Sequence, residues 1–241
     1  MQYFANSDRG RVRPYNQDRT LTLPLAGGGL LAAVFDGMGG HADGDVAAEL
    51  AVASFREVFS ATPPKDAKEG EGLLALAART ADERIRTYAA AGDERCGMGT
   101  TVTAVLVIRD TVTILNVGDS RTYLFREGDL VPLTHDDSYV QSLVDAGSLS
   151  PADARFHPRR NVITRALGSL GRGELSLLSG VARRGDTYLL CSDGLWEMLS
   201  DGQILRILSQ QLSPAVAVGY LIATANERGG EDNIAAALLQ I

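Results

Sequence analysis

The spacing of apolar positions changes character several times along the chain. Between residues 46 and 59, Ala47, Leu50, Ala51, Phe55, Val58 and Phe59 recur at three- and four-residue intervals, the spacing that lines one face of a helix. The acids of "HADGD" just ahead of it suit a helix N-terminus. Residues 60–72, "SATPPKDAKEGEG", are polar with two prolines, and the Leu- and Ala-rich stretch 73–91 then predicts a second helix, so the two form a helical hairpin. From 99 to 134 the period shortens. "TTVTAVLVI", "TVTILNV", "RTYLFRE" and "LVPLT" are β-branched runs separated by Arg109-Asp110, Gly118-Asp119 and Gly128-Asp129, which predicts an antiparallel meander.

Residues 136–160 are polar and mostly helical, and "SPADA" at 150–154 has a Ser cap, Pro in first position and Asp three after the cap. Such an excursion between core strands is placed to cover a site. Strands are predicted again at 174–181 and 187–192, helices at 201–211 and 213–227, and "NIAAALLQI" closes the chain as a buried strand. Hairpin strands with segregated helix pairs argue for an α+β sandwich rather than a doubly wound parallel sheet. No repeat and no shift of composition marks a boundary, so 1–241 reads as a single domain.

Three of the apolar runs end on an aspartate: "LLAAVFDGMGGH" (30–41) at Asp36-Gly37, "VTILNVGDS" at Asp119, and "TYLLCSDG" at Asp193-Gly194. One Asp-Gly is ordinarily a turn, because Gly supplies positive φ and Asp bonds its own backbone. Three core strands that each deliver an aspartate read instead as a site. With a rise of ~3.3 Å per residue, strands of this length can carry their terminal carboxylates to one end of a sheet. Asp18 in "YNQDR" and Asp232 in "EDN" are further candidates.

Composition narrows the chemistry. The formal charge of −7 disfavours binding to a phosphate backbone, so no nucleic-acid partner is expected, and the surplus of acid favours cations. Clustered carboxylates repel unless a cation neutralises them, and an all-oxygen shell without His or Cys is the preference of magnesium or manganese. Gly37 would let its backbone carbonyl approach such an ion. Two divalent ions roughly 3.5–4 Å apart can hold a bridging water, lower its pKa and aim it at phosphorus, which suits hydrolysis of a phosphate monoester. Arg13, in "RVRPYNQD", is a candidate grip for the phosphate oxygens. The two cysteines, Cys96 and Cys191, have no paired spacing, and no apolar run nears the ~20 residues of a membrane-spanning helix. A soluble cytoplasmic protein without a membrane partner is expected.

"RPYNQD", "VFDGMGGH", "GMGTTVTAVLV", "NVGDSRTYLF", "NVITRALG", "LLCSDGLWEML" and "EDNIAAALL" resemble, in order, the motifs of the metal-dependent type 2C protein serine/threonine phosphatases in their compact bacterial form. The resemblance implies a four-layer α-β-β-α sandwich of two antiparallel sheets flanked by helix pairs. It further implies that Asp36, Asp193 and Asp232 hold one Mn2+ or Mg2+ ion, that Asp36 and the Gly37 carbonyl hold a second, and that Asp119 with Asp193 serves a third, weaker one. Asp18 would orient water, Arg13 would bind the substrate phosphate, and residues from about 136 to 165 would form a flap. The implied reaction is hydrolysis of phosphoserine and phosphothreonine by a metal-bridging hydroxide, without a phosphoenzyme. The implied partners are Ser/Thr-phosphorylated proteins, including a cognate kinase.

The chain departs from the animal members at four places. Met38 stands where they have a candidate general acid His, Gln17 where they have a Glu, Asp137 where a His is usual, and Glu197 where an Asp assists the third metal. His41 is a nearby alternative for proton transfer. The rival readings are a pseudophosphatase of the same fold that binds phosphoproteins without turnover, and a relative narrowed to anti-sigma-factor antagonists. A cysteine phosphatase needs Arg six residues after the Cys, where this chain has Val102 and Glu197. EF-hand and P-loop patterns are absent.

Overall fold

A computed structural model describes residues 1–39, 43–91, 97–170 and 175–241. His41, Cys96 and position 174, where a strand was expected to begin, lie outside these segments. In chain order the first elements are β1 (Gln2–Asp8), β2 (Asp18–Pro24), a 3-10 turn at Ala26–Gly28, β3 (Leu30–Met38), α1 (Asp43–Ala61) and α2 (Ala67–Ala90). There follow β4 (Gly99–Thr100), β5 (Val102–Ile108), β6 (Thr111–Val117), β7 (Arg121–Arg126), β8 (Asp129–Pro132), α3 (Tyr139–Asp145) and α4 (Pro151–Ala154). The chain ends with β9 (Ser176–Val181), β10 (Thr187–Cys191), α5 (Asp193–Trp196), α6 (Asp201–Leu208), α7 (Pro214–Glu227) and β11 (Ile234–Gln240).

The strands make two antiparallel sheets, one ordered β1-β11-β10-β7-β8 and the other β2-β3-β5-β6-β9, with β4 added at the end of β3. Alternation along the central strands explains how they stack, because successive side chains point to opposite faces. In β3, Leu31, Ala33 and Phe35 pack with Ala51 and Phe55 of α1 and with Ala77 and Ala81 of α2. Leu30, Ala32 and Val34 face the other way and meet Tyr188, Leu190, Ala235, Ala237 and Leu239 of the second sheet. The far faces of β10 and β11, with Leu189, Cys191, Ala236 and Leu238, pack on α6 and α7. Central strands are therefore apolar on both faces, and the order of layers is the expected α-β-β-α.

Three local expectations are corrected. The run 99–134 is not one meander: β5 and β6 pair in one sheet, β7 and β8 in the other, and the chain crosses between sheets at Gly118–Ser120. Hydroxyl pairs bridge the sheets beside that crossing, Thr101 to Ser120 and Thr103 to Thr122, each at 2.7 Å. Second, α2 starts at Ala67 rather than 73, because Asp66 accepts the Glu69 N–H at 2.8 Å and Glu69 accepts the Lys65 N–H at 3.0 Å. This reciprocal cap carries the helix through a polar first turn that apolar spacing does not reveal. Third, the strand ahead of Asp193 stops at Cys191, and Asp193 is the first residue of the one-turn helix α5. The "SPADA" start holds, with the Ser150 hydroxyl accepting the Asp153 N–H at 3.1 Å.

Candidate metal centre

Register delivers the carboxylates to one end of the sandwich. β2 and β3 pair so that Asp18 stands opposite Asp36. β5 starts, and β6 ends, beside the end of β3, so the crossing that contains Asp119 lies at that end too. In the other sheet Cys191 pairs with Ala236, which sets Asp193, two residues beyond β10, against Asp232, two residues before β11. Two glycines permit the close approach. A Cβ on Gly37 would stand 2.1 Å from the Gly44 carbonyl oxygen, and one on Gly194 would stand 2.0 Å from the Asn233 carbonyl oxygen. Gly37 thus seats the start of α1 on β3, and Gly194 seats α5 against the segment that carries Asp232.

The carboxyl groups share one field. Burial raises the pKa of Asp36 well above the usual range, and the charges on Asp18, Asp193, Asp119 and Asp232 raise it further. Asp36 in turn lowers the pKa of both Asp18 and Asp193 against the upward push of burial, so the three carboxyl groups titrate together. Burial, with Asp193 and Asp232 adding to it, pushes Asp18 up to about 8. Asp193 is pushed up to about 7 by burial first, then by Asp232 and Glu197. Asp119 is raised well above its ordinary value by burial, Asp193 and Asp136.

Two buried oxygens at this end, Oδ1 of Asp18 and Oδ1 of Asp119, have no hydrogen-bond partner. A buried carboxylate oxygen without a partner is costly in a folded protein, and a water, a proton or a cation would each answer it. Among the described residues no three His, Cys, Asp or Glu side chains close into a ready ligand group. Asp232 instead accepts the Arg13 Nη2 at 2.6 Å through Oδ2, and the Asn233 N–H at 2.7 Å through Oδ1. The oxygens of Asp36, Asp193, Asp119 and Asp232 nonetheless form the hard, anionic set that suits Mg2+ or Mn2+.

Arg13 is half exposed at the rim. Burial lowers its pKa and the hydrogen bond and charge of Asp232 raise it, with Asp193 and Asp36 contributing, and the net shift is upward. Its guanidinium borders an open cleft of about 260 Å³ lined by Arg13, Pro14, Tyr15, Gln17 and Gly39. A tethered loop presents Arg13: the Asn233 side chain donates to the Arg9 and Tyr15 carbonyls at 2.8 Å each and accepts the Gln17 N–H at 2.8 Å. Asn233 was quoted in "EDN" without a role, and only its long-range contacts show it to be the hub of this loop.

Ser192 is a second residue that spacing alone passed over. Its hydroxyl donates to Asp18 Oδ2 at 2.6 Å and accepts the Ala235 N–H at 2.8 Å. Thr100 and Thr101 hold Asp36 from the other side: the Thr100 hydroxyl and the Thr101 N–H each donate to the Asp36 carbonyl at 2.9 Å. Thr101 Oγ1 also accepts the Asp36 N–H at 3.1 Å. The "TT" of "GMGTTVTAVLV" was the available signal.

On the Asp119 side lies a cavity of about 320 Å³ between α3, α4 and α5, bordered by Asp119, Asp136, Arg121, Trp196 and Glu197. Arg121 grips Asp136 through Nε at 3.0 Å and Nη2 at 2.7 Å, and lies 3.7 Å above the Trp196 ring. Asp137 accepts the Gly118 N–H at 3.1 Å, which fixes the crossing next to Asp119. Glu197 is 3.4 Å from Arg160 Nε. Cys191 is fully buried in the core beside α6 and α7, and burial raises its thiol pKa, so it is an inert apolar filler rather than a nucleophile.

A double antiparallel sandwich with opposed helix layers carries this carboxylate cluster at one end. The sequence profile described as Protein phosphatase 2C matches residues 10–238. The chain belongs to the protein phosphatase 2C family. It is 40% identical over 237 residues to the serine/threonine protein phosphatase PstP of Mycobacterium tuberculosis, covering 97% of this chain and 44% of that protein. It is 38% identical over 235 residues to the serine/threonine phosphatase stp of Listeria welshimeri, covering 97% and 93% of the two chains. The crystal structure of the PstP catalytic domain in complex with two manganese ions superimposes with a TM-score of 0.86 at 39% identity, covering 98% and 96% of the two chains. The chain thus spans less than half of the mycobacterial relative. No helix among the described residues is long and apolar enough to cross a membrane.

Proposed function

We propose that this chain is a metal-dependent protein phosphatase that hydrolyses phosphoserine and phosphothreonine esters of proteins. The observation that carries the reading is the carboxylate cluster itself, with Asp18 paired opposite Asp36, Asp193 and Asp232 brought together by the β10–β11 register, and two orphaned buried oxygens, on a chain of this family. When bound, a pair of Mn2+ or Mg2+ ions lowers the pKa of water and offsets charge on the phosphoryl oxygens.

In this reading Asp36, Asp193 and Asp232 hold one ion, Asp36 and the Gly37 carbonyl the second, and Asp119 with Asp193 a third. Arg13 grips the phosphate, and its present hydrogen bond to Asp232 keeps the guanidinium aimed at the centre until a phosphate competes for it. Asp18 is held through Oδ2 by Ser192, which leaves the buried Oδ1 to accept a hydrogen bond from the attacking water and so orient it. Thr100 and Thr101 fix the backbone of Asp36, so its carboxylate does not swing when charge develops on the phosphoryl group.

The proposed organisation is one catalytic domain, with residues of about 136–165 as a flap beside the Asp119 side of the site. The proposed substrates are Ser/Thr-phosphorylated proteins, including a cognate kinase, in the cytoplasm. The serine/threonine phosphatase names of PstP and stp support Ser/Thr-phosphorylated substrates, and the manganese-bound PstP domain supports the metal dependence. The test is hydrolysis of p-nitrophenyl phosphate with Mn2+, Mg2+, Ca2+ or EDTA, beside Asp193→Ala. Turnover that needs Mn2+ or Mg2+ and is lost in Asp193→Ala is expected. Full activity in EDTA would discard the metal mechanism, and phosphopeptide binding without turnover would make the chain a pseudophosphatase.

A further inference from the structure

Helix α5 is a single turn, and a single turn fixes several dihedrals for very few hydrogen bonds, so it needs support from outside. Its N-terminal side is held by Ser192, bonded to Asp18 and to the Ala235 N–H. At its C-terminal side the carbonyls of Trp196, Glu197 and Leu199 converge on one donor. That donor is Nη2 of Arg155, which closes α4, and the three distances are 2.7, 2.9 and 3.2 Å. A guanidinium at the end of a helix both satisfies orphan carbonyls and complements their partial charge.

Between these two ends sits Trp196. Its Nε1 donates to the Asp119 carbonyl at 3.0 Å, and the Arg121 guanidinium covers its ring. A displacement of the C-terminal end of α5 is therefore passed in two directions, along one helical turn to Asp193 and through the indole to the backbone of Asp119. Arg155 itself touches neither carboxylate. From this arrangement we infer that Arg155 is a positioning residue: by capping α5 from the far side of the cavity, it sets Asp193 and Asp119 for cation binding. The roles of those two aspartates rest on the phosphatase reading above, whereas the contacts of Arg155 do not.

Trp196 is the only tryptophan in the chain, so its fluorescence reports on α5 alone. The test compares the full chain with Arg155→Met and Arg155→Lys. Three quantities are measured: acrylamide quenching of Trp196 in EDTA, Mn2+ binding by calorimetry, and thermal unfolding by circular dichroism. In Arg155→Met, quenching should rise and Mn2+ affinity should fall up to about tenfold, the lower end of what losing a partner of a metal ligand costs, since Arg155 acts on Asp193 and Asp119 only through α5. Arg155→Lys should restore part of both, since an ammonium still serves two of the carbonyls, and the unfolding midpoint should move little.

Unchanged quenching and unchanged Mn2+ affinity in Arg155→Met would overturn the inference, whatever happens to turnover. If Arg155→Met does not fold, Arg155→Lys decides alone: a smaller shift in the same two quantities supports the inference, and wild-type values overturn it. If the wild type neither binds Mn2+ nor hydrolyses p-nitrophenyl phosphate, the phosphatase reading falls. The quenching comparison then still decides whether Arg155 holds α5.

Discussion

Strand β10 connects two aspartates, the buried Asp186 just before it and the partly exposed Asp193 just after it, roughly 20 Å apart by the rise of a strand. At the first, every oxygen is answered. Arg126 donates to Asp186 through Nε and Nη2 at 2.6 Å each, the Arg183 N–H donates at 2.7 Å and the Tyr188 hydroxyl at 3.3 Å. Burial alone would raise the pKa of Asp186, but the Arg126 bonds and the Arg183 N–H outweigh it and the shift is downward. At the second end burial raises Asp193, and its neighbours Asp232 and Glu197 raise it further instead of answering it. Residue type is the same, and burial pushes both carboxyl groups upward. What differs is whether the protein itself supplies the positive charge, and an end that gathers acids without supplying cations is built to receive them from outside.

Removing a carboxylate should therefore have opposite consequences at the two ends. The largest effect expected is on turnover: Asp36→Asn should reduce Mn2+-dependent hydrolysis of p-nitrophenyl phosphate on the order of 10³-fold, about 4 kcal/mol of barrier. The same variant should melt at an equal or higher temperature in EDTA at pH 8, since one repelling charge is gone. A lower melting temperature there would mean that the cluster is structural.

Next in size is the pH dependence of the metal-free protein. Asp18, at about 8, and Asp193, at about 7, bind protons more tightly folded than unfolded. Their contribution is complete below the unfolded value near pH ~4 and is lost as pH rises through 7 and 8. Asp186 has the opposite sign: its contribution is present above pH ~4 and fades as pH falls through its lowered value. Denaturant melts in EDTA should thus show stability falling by a few kcal/mol between pH 5 and pH 8.5, and Mn2+ should abolish most of that fall. A flat profile in EDTA would remove the contrast between the two ends.

Arg126→Met tests the satisfied end. It should cost roughly 2 kcal/mol of stability, below the ~3–5 kcal/mol of fully enclosed pairs because solvent reaches the guanidinium, and turnover should stay unchanged. Chemical denaturation together with the phosphatase assay checks both halves. The smallest effect belongs to the rim. Arg13→Ala should raise KM for p-nitrophenyl phosphate about tenfold with a lesser change in kcat, because a charge-assisted grip on substrate is lost. An unchanged KM would place the phosphate seat elsewhere.

Asp36, Asp119 and Asp193 were legible because each follows an apolar run, although β3 runs on past Asp36 to Met38 and β6 and β10 stop two residues before Asp119 and Asp193. The helix pairs were legible for a similar reason, since the spacing of Ala47, Ala51 and Phe55 is itself the face that packs. Residues whose importance lies in their partners were not legible. Ser192, Asn233 and Arg155 carry no local signal until their partners at Asp18, Tyr15 and Trp196 come into place. The sheet crossing at Gly118 was misread as a hairpin turn, because the runs on both sides are equally β-branched and nothing in their pattern says which sheet each joins.

The order and period of the apolar positions determined an α+β sandwich with segregated helix pairs and set aspartates at or just beyond the ends of several core strands, since burial and alternation act on neighbours in the chain. Tertiary structure alone decided which of the buried acids would be paired by the protein and which would be left facing one another. That choice depends on contacts across the fold, Arg126 to Asp186 over 60 positions and Ser192 to Asp18 over 174, and no local pattern encodes them.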